Sequence, residues 1–195
     1  NGDTEVFLKG FIEFGKNFFK LANGIFAVSI YDKKNKLLFI SRDFVGVKPL
    51  YYFLEKTSLI FSSEMKAIVS NMKQSVKLNK EVLNEYLYYK YVSGKDTLVQ
   101  NIKKFLPGKV YVFDLNNKKI SLKTFNFFNF NEKNQKDTFL DTVHQTKTFL
   151  KKSVNLQLQS DANIGIQLSG GIDSTLITDI ACKERHIKNL YFSSF

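Results

Sequence analysis

Two folds in tandem are predicted from this sequence: a layered α+β domain, then the opening of a parallel α/β domain. Three observations predict them. First, residues 25–31, 36–41, 50–54 and 59–63 are short apolar runs separated by turn residues, which read as two β-hairpins. Second, their apolar residues fall on both faces rather than alternating. Strands of that kind are covered on both sides, so a stacked β core is expected. Third, an apolar run at 164–168, a glycine pair, a helical stretch at 176–181 and a second run at 189–195 read as one βαβ unit. That unit implies parallel strands and a right-handed crossover.

The elements follow in order. Val6, Phe7, Phe11, Ile12 and Phe14 recur at near-helical spacing and predict a helix over 4–14. Asp3 stands at the N-cap position and Gly15 where a helix would stop. Asn23-Gly24 is a turn, and residues 32–35 close the first hairpin. Residues 42–49 form a structured loop into the second. A short helix begins at 64–68, and another, rich in Tyr and Leu, spans 80–91. Leu106-Pro107-Gly108 turns the chain into a last hairpin, 109–114 and 119–124, with its turn at Asn116-Asn117. Residues 126–135 are polar and Asn-rich and read as a linker. A long amphipathic helix starts near 136, with Phe139, Leu140, Val143, Phe149, Leu150 and Val154 as its buried stripe. The domains are therefore 1–125 and 136–195. One βαβ unit cannot close a doubly wound sheet, so the second domain is expected to continue past residue 195.

The totals narrow the function classes. A chain of 195 residues with 44% hydrophobic and 15% aromatic content can bury a substantial core. No apolar run approaches the length of a membrane span. The net charge is +11, but nearly all of it is lysine; only Arg42 and Arg185 are arginines. Phosphate and base readers favour arginine forks, and these lysines form no block, so they read as solvated faces and nucleic-acid binding stays a minor option. A single cysteine, Cys182, excludes an internal disulfide and fits a reducing compartment, the cytoplasm; within its helix it is expected to be buried. His144 and His186 have no Cys or carboxylate beside them at ligand spacing and read as surface residues.

The richest string is Leu168-Ser169-Gly170-Gly171-Ile172-Asp173-Ser174-Thr175. Strand, glycine turn and helix start together make an anion cradle. Paired glycines admit close backbone approach, and the helix offers free N–H groups and its positive dipole end. Ser169, Ser174 and Thr175 add hydroxyls. Asp173 adds a negative charge that suits a phosphate site when Mg²⁺ lies between. No lysine stands between Leu168 and Thr175, which excludes the Walker-type loop. A plain Ser/Gly turn is the competing structural reading. The string resembles the pyrophosphate loop of the ATP pyrophosphatase family, which cuts ATP between the α and β phosphates and adenylates a substrate.

A second string is Arg42-Asp43-x-x-Gly46-x-x-Pro49-Leu50-Tyr51. Read physically, it is structural: a charged pair ends a strand, and Gly and Pro fix a tight re-entry, with the arginine ordering the loop by ion pair and backbone hydrogen bonds. Together with Asp3-Thr4-Glu5, Gly24-Ile25-Phe26-Ala27 and Ser63-Glu64-Met65-Lys66-Ala67, it resembles the class II glutamine amidotransferase domain. The order glutaminase, linker, pyrophosphate loop is similar to that of the glutamine-hydrolysing asparagine synthetase family.

This resemblance implies a layered αββα N-terminal-nucleophile domain ahead of a doubly wound pyrophosphate-loop domain. It implies a ligase that takes ammonia from glutamine, activates aspartate as an acyl adenylate with ATP and Mg²⁺, and releases AMP and pyrophosphate; it leaves room for a homodimer. Asp3 would hold the α-amino group of glutamine, a role compatible with an N-cap. Ile25 would line the ammonia passage, against the structural reading of a core strand residue. Ser169, Gly170, Gly171, Ser174 and Thr175 would hold pyrophosphate, and Asp173 the Mg²⁺. The backbone at Gln167, Leu168 and Ser194 would flank adenine. The family's nucleophile is an N-terminal cysteine. None stands near Asn1, so no catalytic residue is assigned, the nucleophile is expected upstream, and the chain as written is expected not to hydrolyse glutamine. Asp161-Ala162-Asn163 also departs from the family's Asp-Val-Pro. Sister enzymes acting on another carboxylate (β-lactam-forming, peptide or sugar acid), a tRNA-modifying enzyme and a non-catalytic nucleotide-binding protein are the rival readings.

Overall fold

The computed structural model describes residues 2–116, 120–126, 137–160, 163–184 and 192–193. The chain divides into two compact units, Asn1–Asn131 and Glu132–Phe195.

The first unit opens with α1 (Asp3–Phe14), which passes directly into a 3-10 turn, Gly15–Lys20. The cap of α1 is Gly2, in extended backbone, whose carbonyl accepts from Glu5 and Val6 N–H at 3.0 and 3.3 Å. Asp3 is therefore not the N-cap. It lies one step inside, in the first turn, where a carboxylate meets the positive end of the helix dipole. Strands β1 (Ala27–Asp32) and β2 (Leu37–Arg42) form the first hairpin. Asp32 closes it by accepting from the N–H groups of Lys34 and Asn35 at 3.0 Å. Next come β3 (Tyr51–Leu54), β4 (Leu59–Ser62), α2 (Met65–Asn71) and α3 (Leu83–Tyr89), the last entered through a 3-10 turn capped by Asn79. The unit ends with β5 (Ile102–Lys104), β6 (Lys109–Asp114) and β7 (Ser121–Asn126).

These strands make two antiparallel sheets, ordered β1-β2-β6-β7 and β4-β3-β5. Ile40, Leu50, Phe105, Tyr111 and Phe113 fill the space between them, with Tyr52 packed alongside. On the outer face of the first sheet, Phe39, Val110 and Val112 meet Phe19, Phe7 and Phe11 from the helical segment. On the outer face of the second, Phe53 and Ile102 meet Ile68 of α2. Helix, sheet, sheet and helix thus stack as four layers, as the αββα expectation has it.

The expectation of strands covered on both faces holds for β2 and β6 but not for β1. There Ala27, Ser29 and Tyr31 are exposed, while Val28 and Ile30 pack toward α1. An edge strand has one neighbour and here one covered face. β5 is the strand the sequence did not announce: three residues with two lysines carry no periodicity, and only pairing with β3 makes it a strand. Asn126 ends β7; the rest of the expected linker lies outside the described residues, as do Asn117, Asp161, Ala162, Arg185, His186 and Ser194.

The second unit opens with α4 (Phe139–Gln157). Its start is a capping box: Thr138 Oγ1 accepts from the Asp141 N–H at 3.2 Å, and Asp141 Oδ2 accepts from the Thr138 N–H at 3.1 Å. The expected buried stripe is only partly buried. Leu150, Val154 and Leu158, four residues apart, pack against Ile180 and Ala181, whereas Phe139, Leu140, Val143 and Phe149 are exposed. Among the described residues, one helix and one short strand cover α4, enough for a seam but not a full face. After α4 come β8 (Ile166–Gln167), α5 (Ile172–Glu184) and β9 (Phe192–Ser193), with β8 and β9 parallel as the βαβ reading requires. No helix among the described residues is long and apolar enough to cross a membrane.

His144 is exposed, as expected, but Cys182 is exposed too, contrary to expectation. The buried positions of α5 fall on Thr178, Ile180 and Ala181, and the next step turns outward. A thiol titration of the native protein is therefore expected to label Cys182 fully without denaturant. Labelling that waits for unfolding would contradict this placement.

Candidate functional site

In the first unit the organising feature is the loop between β2 and β3. Asp43 is only 2% exposed. Its Oδ1 accepts from the N–H groups of Gly46 and Val47 at 2.6 and 2.8 Å, and its Oδ2 from Lys48 at 3.1 Å. Burial alone would raise the Asp43 pKa, but the three N–H donors and the neighbouring Arg42 cation outweigh it and hold it below the usual carboxylate value. Arg42 donates to the carbonyls of Phe105, at 3.2 Å, and Gly46. Gly46 has φ +78°, and a Cβ there would lie 2.8 Å from both Arg42 Nη2 and Pro107 Cγ, so neither the backbone nor the space admits a side chain. The Arg-Asp-Gly string is the structural clamp it was read as, made by backbone hydrogen bonds.

The clamp delivers Lys48 and Pro49 to the wall of a cavity of about 740 Å³. Asp3 and Phe7 of α1 and the segment leading into β1, with Ile25, complete that wall. Two residues assigned separately, Asp3 for glutamine and Ile25 for an ammonia passage, thus share one cavity. Ile25 is not a core strand residue: it lies in a bend before β1 and is 50% exposed. Of the lining residues only Asp3 and Lys48 are charged. Lys48 went unassigned in the sequence. Its one signal was its place between Gly46 and Pro49, two positions that fix the backbone around it.

In the second unit, β8 ends at Gln167, and Leu168 and Ser169 lead into the turn. Gly170 takes φ +79°, and a Cβ built on it meets nothing within 4 Å. The first turn of α5 then rises. Thr175 N–H donates to the Gly171 carbonyl at 3.1 Å, so the N–H groups before it have no carbonyl one turn back. Ser174 Oγ and Thr175 Oγ1 both donate to that same carbonyl, at 3.1 and 2.9 Å, and Ser169 Oγ lies 3.1 Å from Ser174 Oγ. The loop therefore brings Ser169, Gly170, Gly171, Ser174 and Thr175 together, with open space where a Cβ on Gly170 would stand. Asp173, exposed in the first turn, is its one carboxylate. No group of three or more potential metal ligands occurs among the described residues. Leu168 is half-buried and Gln167 exposed at the strand end.

Residues 1–126, well over half of the chain, match the family model described as the glutamine amidotransferase domain. The chain belongs to that family. Within the amidotransferase domain so defined lie the clamp, the cavity, Asp3 and Ile25. Residues 145–194, which include the glycine loop, match the model described as asparagine synthase. Among curated proteins, the chain is 34% identical over 180 residues to asparagine synthetase [glutamine-hydrolyzing] 3 of Bacillus subtilis, covering 92% of this chain and 29% of that protein. It is 32% identical over 186 residues to asparagine synthetase [glutamine-hydrolyzing] 1 of the same organism, covering 95% and 29%. A putative asparagine synthetase of Methanocaldococcus jannaschii is 31% identical over 182 residues, covering 91% and 35%. The chain therefore spans about a third or less of the length of these relatives.

Proposed function

We propose that this chain is part of an ATP-dependent amidotransferase that makes asparagine from aspartate with ammonia drawn from glutamine. The observation that carries the proposal is the loop at 169–175, an open glycine turn at the start of a helix that follows a parallel strand. Its place behind an amidotransferase domain supports the choice of reaction.

In this reading the aspartate side-chain carboxylate attacks the α-phosphorus of ATP. The bond to the β-phosphate breaks, and pyrophosphate leaves. The early N–H groups of α5 and the Ser169, Ser174 and Thr175 hydroxyls, free to turn from the Gly171 carbonyl, hold that leaving group as its charge develops. Asp173 would be the residue to hold Mg²⁺, which when bound would supply charge neutralisation for the phosphates. The backbone at Gln167 and Leu168 flanks the adenine, as strand ends do in such sheets. Ammonia then attacks the acyl carbon, AMP departs with the C–O electron pair, and a proton is lost from the new amide nitrogen. In the amidotransferase domain, Asp3 receives the α-ammonium of glutamine and Ile25 lines the way out for ammonia. A cytoplasmic location fits the lone free thiol.

The test is pyrophosphate release by the complete protein with ATP, Mg²⁺ and ammonium, comparing aspartate with glutamate and with larger acids. Release that depends on aspartate and yields asparagine is expected. Release driven better by another acid would move the assignment to a sister enzyme, and no release with any acid would sink it.

A further inference from the structure

We infer that Asn23 is a modification site: in the folded protein it deamidates spontaneously through the Gly24 nitrogen, giving aspartate and isoaspartate directly ahead of Ile25. The inference does not depend on what the neighbouring cavity binds.

Among the described residues, Asn23 is the one asparagine followed by glycine, and both members of the pair are exposed. They fall in a slack span between two tethers. Upstream, the Leu21 and Ala22 N–H groups donate to the Phe18 carbonyl at 2.8 and 3.1 Å. Downstream, the Phe26 carbonyl accepts from the Asp43 N–H at 2.8 Å. Between these tethers Asn23, Gly24 and Ile25 make no hydrogen bond among the described residues. A Cβ built on Gly24 meets nothing within 4 Å. The Asn23 side chain can therefore swing onto the next nitrogen, which is neither crowded nor already donating. Other asparagines lack this combination. The side-chain nitrogens of Asn35, Asn71 and Asn116 are held, by Asp32 at 2.7 Å and by the Ala67 and Asn35 carbonyls at 2.8 Å. Asn101 is followed by the buried, β-branched Ile102, whose N–H donates to the Val99 carbonyl at 3.2 Å.

The step needs only water. The Gly24 nitrogen, having given its proton to solvent, attacks Asn23 Cγ, and a C–N bond forms. The Cγ–Nδ2 bond breaks, and ammonia leaves after taking a proton back from solvent. Water then opens the five-membered imide. Opening at Cγ gives aspartate. Opening at the backbone carbonyl gives isoaspartate, in which the chain runs through the β carbon. In sum one water enters and one ammonia departs. Either product places a new carboxylate in the span, and isoaspartate also lengthens the backbone by one methylene. Phe26 is pinned by Asp43, so the extra length must be taken up at Ile25, in the cavity wall. Conversion thus alters that wall as the protein ages.

Peptide mapping tests this on the complete protein, aged in its folded state at mildly alkaline pH and digested at acidic pH so that nothing forms during preparation. Mass spectrometry with chromatographic separation of the isomers is expected to find aspartate and isoaspartate at Asn23 before any other described asparagine converts. Gly24→Ala is expected to lose most of the conversion, because its Cβ crowds the attacking nitrogen. It should fold like wild type, since that Cβ enters open space and Gly24 has no positive φ. Asn23→Gln is expected to lose nearly all of it, because the ring it would have to close is six-membered. Asn23 left unconverted in the folded protein overturns the inference. So does another described asparagine converting first, aspartate appearing without isoaspartate, or a folded Gly24→Ala protein that converts like wild type.

Discussion

Replacing Asp43 with alanine is expected to cost the amidotransferase domain about 3–5 kcal/mol of stability, the scale for breaking a buried charged network. The N–H groups of Val47 and Lys48 lose their acceptor, Gly46 N–H keeps only the Asp43 backbone carbonyl at 3.1 Å, and the buried Arg42 loses the carboxylate beside it. An unsatisfied donor costs about 1–3 kcal/mol when buried; these lie in a part-buried loop with Val47 and Lys48 exposed, so water recovers part of that cost and most of the loss comes from the Arg42 side. Asp43→Asn keeps one acceptor oxygen but turns an amide NH₂ toward a donor, so it should fall between the two. The pH dependence has a definite sign. The folded pKa of Asp43 is depressed, so its stabilisation is fully present above the unfolded value of about 3.9 and is lost as pH falls through the folded value. The wild type should therefore weaken below about pH 4, and Asp43→Ala should weaken less steeply over the same range. Denaturant unfolding followed by far-UV circular dichroism at pH 7 and pH 3 measures both. A loss under about 1 kcal/mol at pH 7 would show that the clamp does not hold the loop.

The second large effect is expected at the glycine loop, on activity rather than stability. Gly170→Ala should lower aspartate-dependent pyrophosphate release by about 100-fold or more, the scale for loss of a positioned anion site. Its folding cost should be small. The φ of +79° makes alanine unfavourable by about 1–2 kcal/mol, and its Cβ would enter open space rather than protein. Gly171→Ala is the useful partner. Gly171 has no positive φ, and its added Cβ would meet only Ser169 Oγ at 3.6 Å, an ordinary contact. If the space over the turn belongs to a phosphate, both variants lose activity alike despite unequal strain. Activity that instead follows stability, with Gly171→Ala near wild type, would make the turn merely structural.

Much of this was legible in the residues because it is local chemistry. Asp32 and Asn35 mark a hairpin turn by their own side-chain bonds, Gly46 and Pro49 mark a constrained loop, and the glycine pair sits between a strand and a helix as its types demand. What escaped the sequence depends on distant neighbours. β5 exists because β3 lies beside it, about fifty residues back along the chain. The outward turn of Cys182 and the exposure of Phe139 and Phe149 follow from how few of the described residues pack on α4 and α5, which periodicity cannot reveal. At the candidate site, Asp3 and Ile25 could be named one by one. That they share a wall with Lys48 required the fold, since three separate segments meet there.

The pairing of β2 with β6 also sets a timetable. Ser41 faces Val110 and Leu37 faces Asp114, so the centre of the first sheet joins strands separated by roughly 70 residues, with the whole second sheet spun out in between. At about 5–20 residues per second, a ribosome delivers β6 roughly 4–14 s after β2. Throughout that interval Phe39 and Ile40 have no strand on their open side. The hairpin must wait with its stickiest edge bare, and pairing across so long a loop is slow in any case. Yield during synthesis, more than stability once folded, is where this topology is most vulnerable: slower translation across the second sheet prolongs the wait and invites edge-to-edge association.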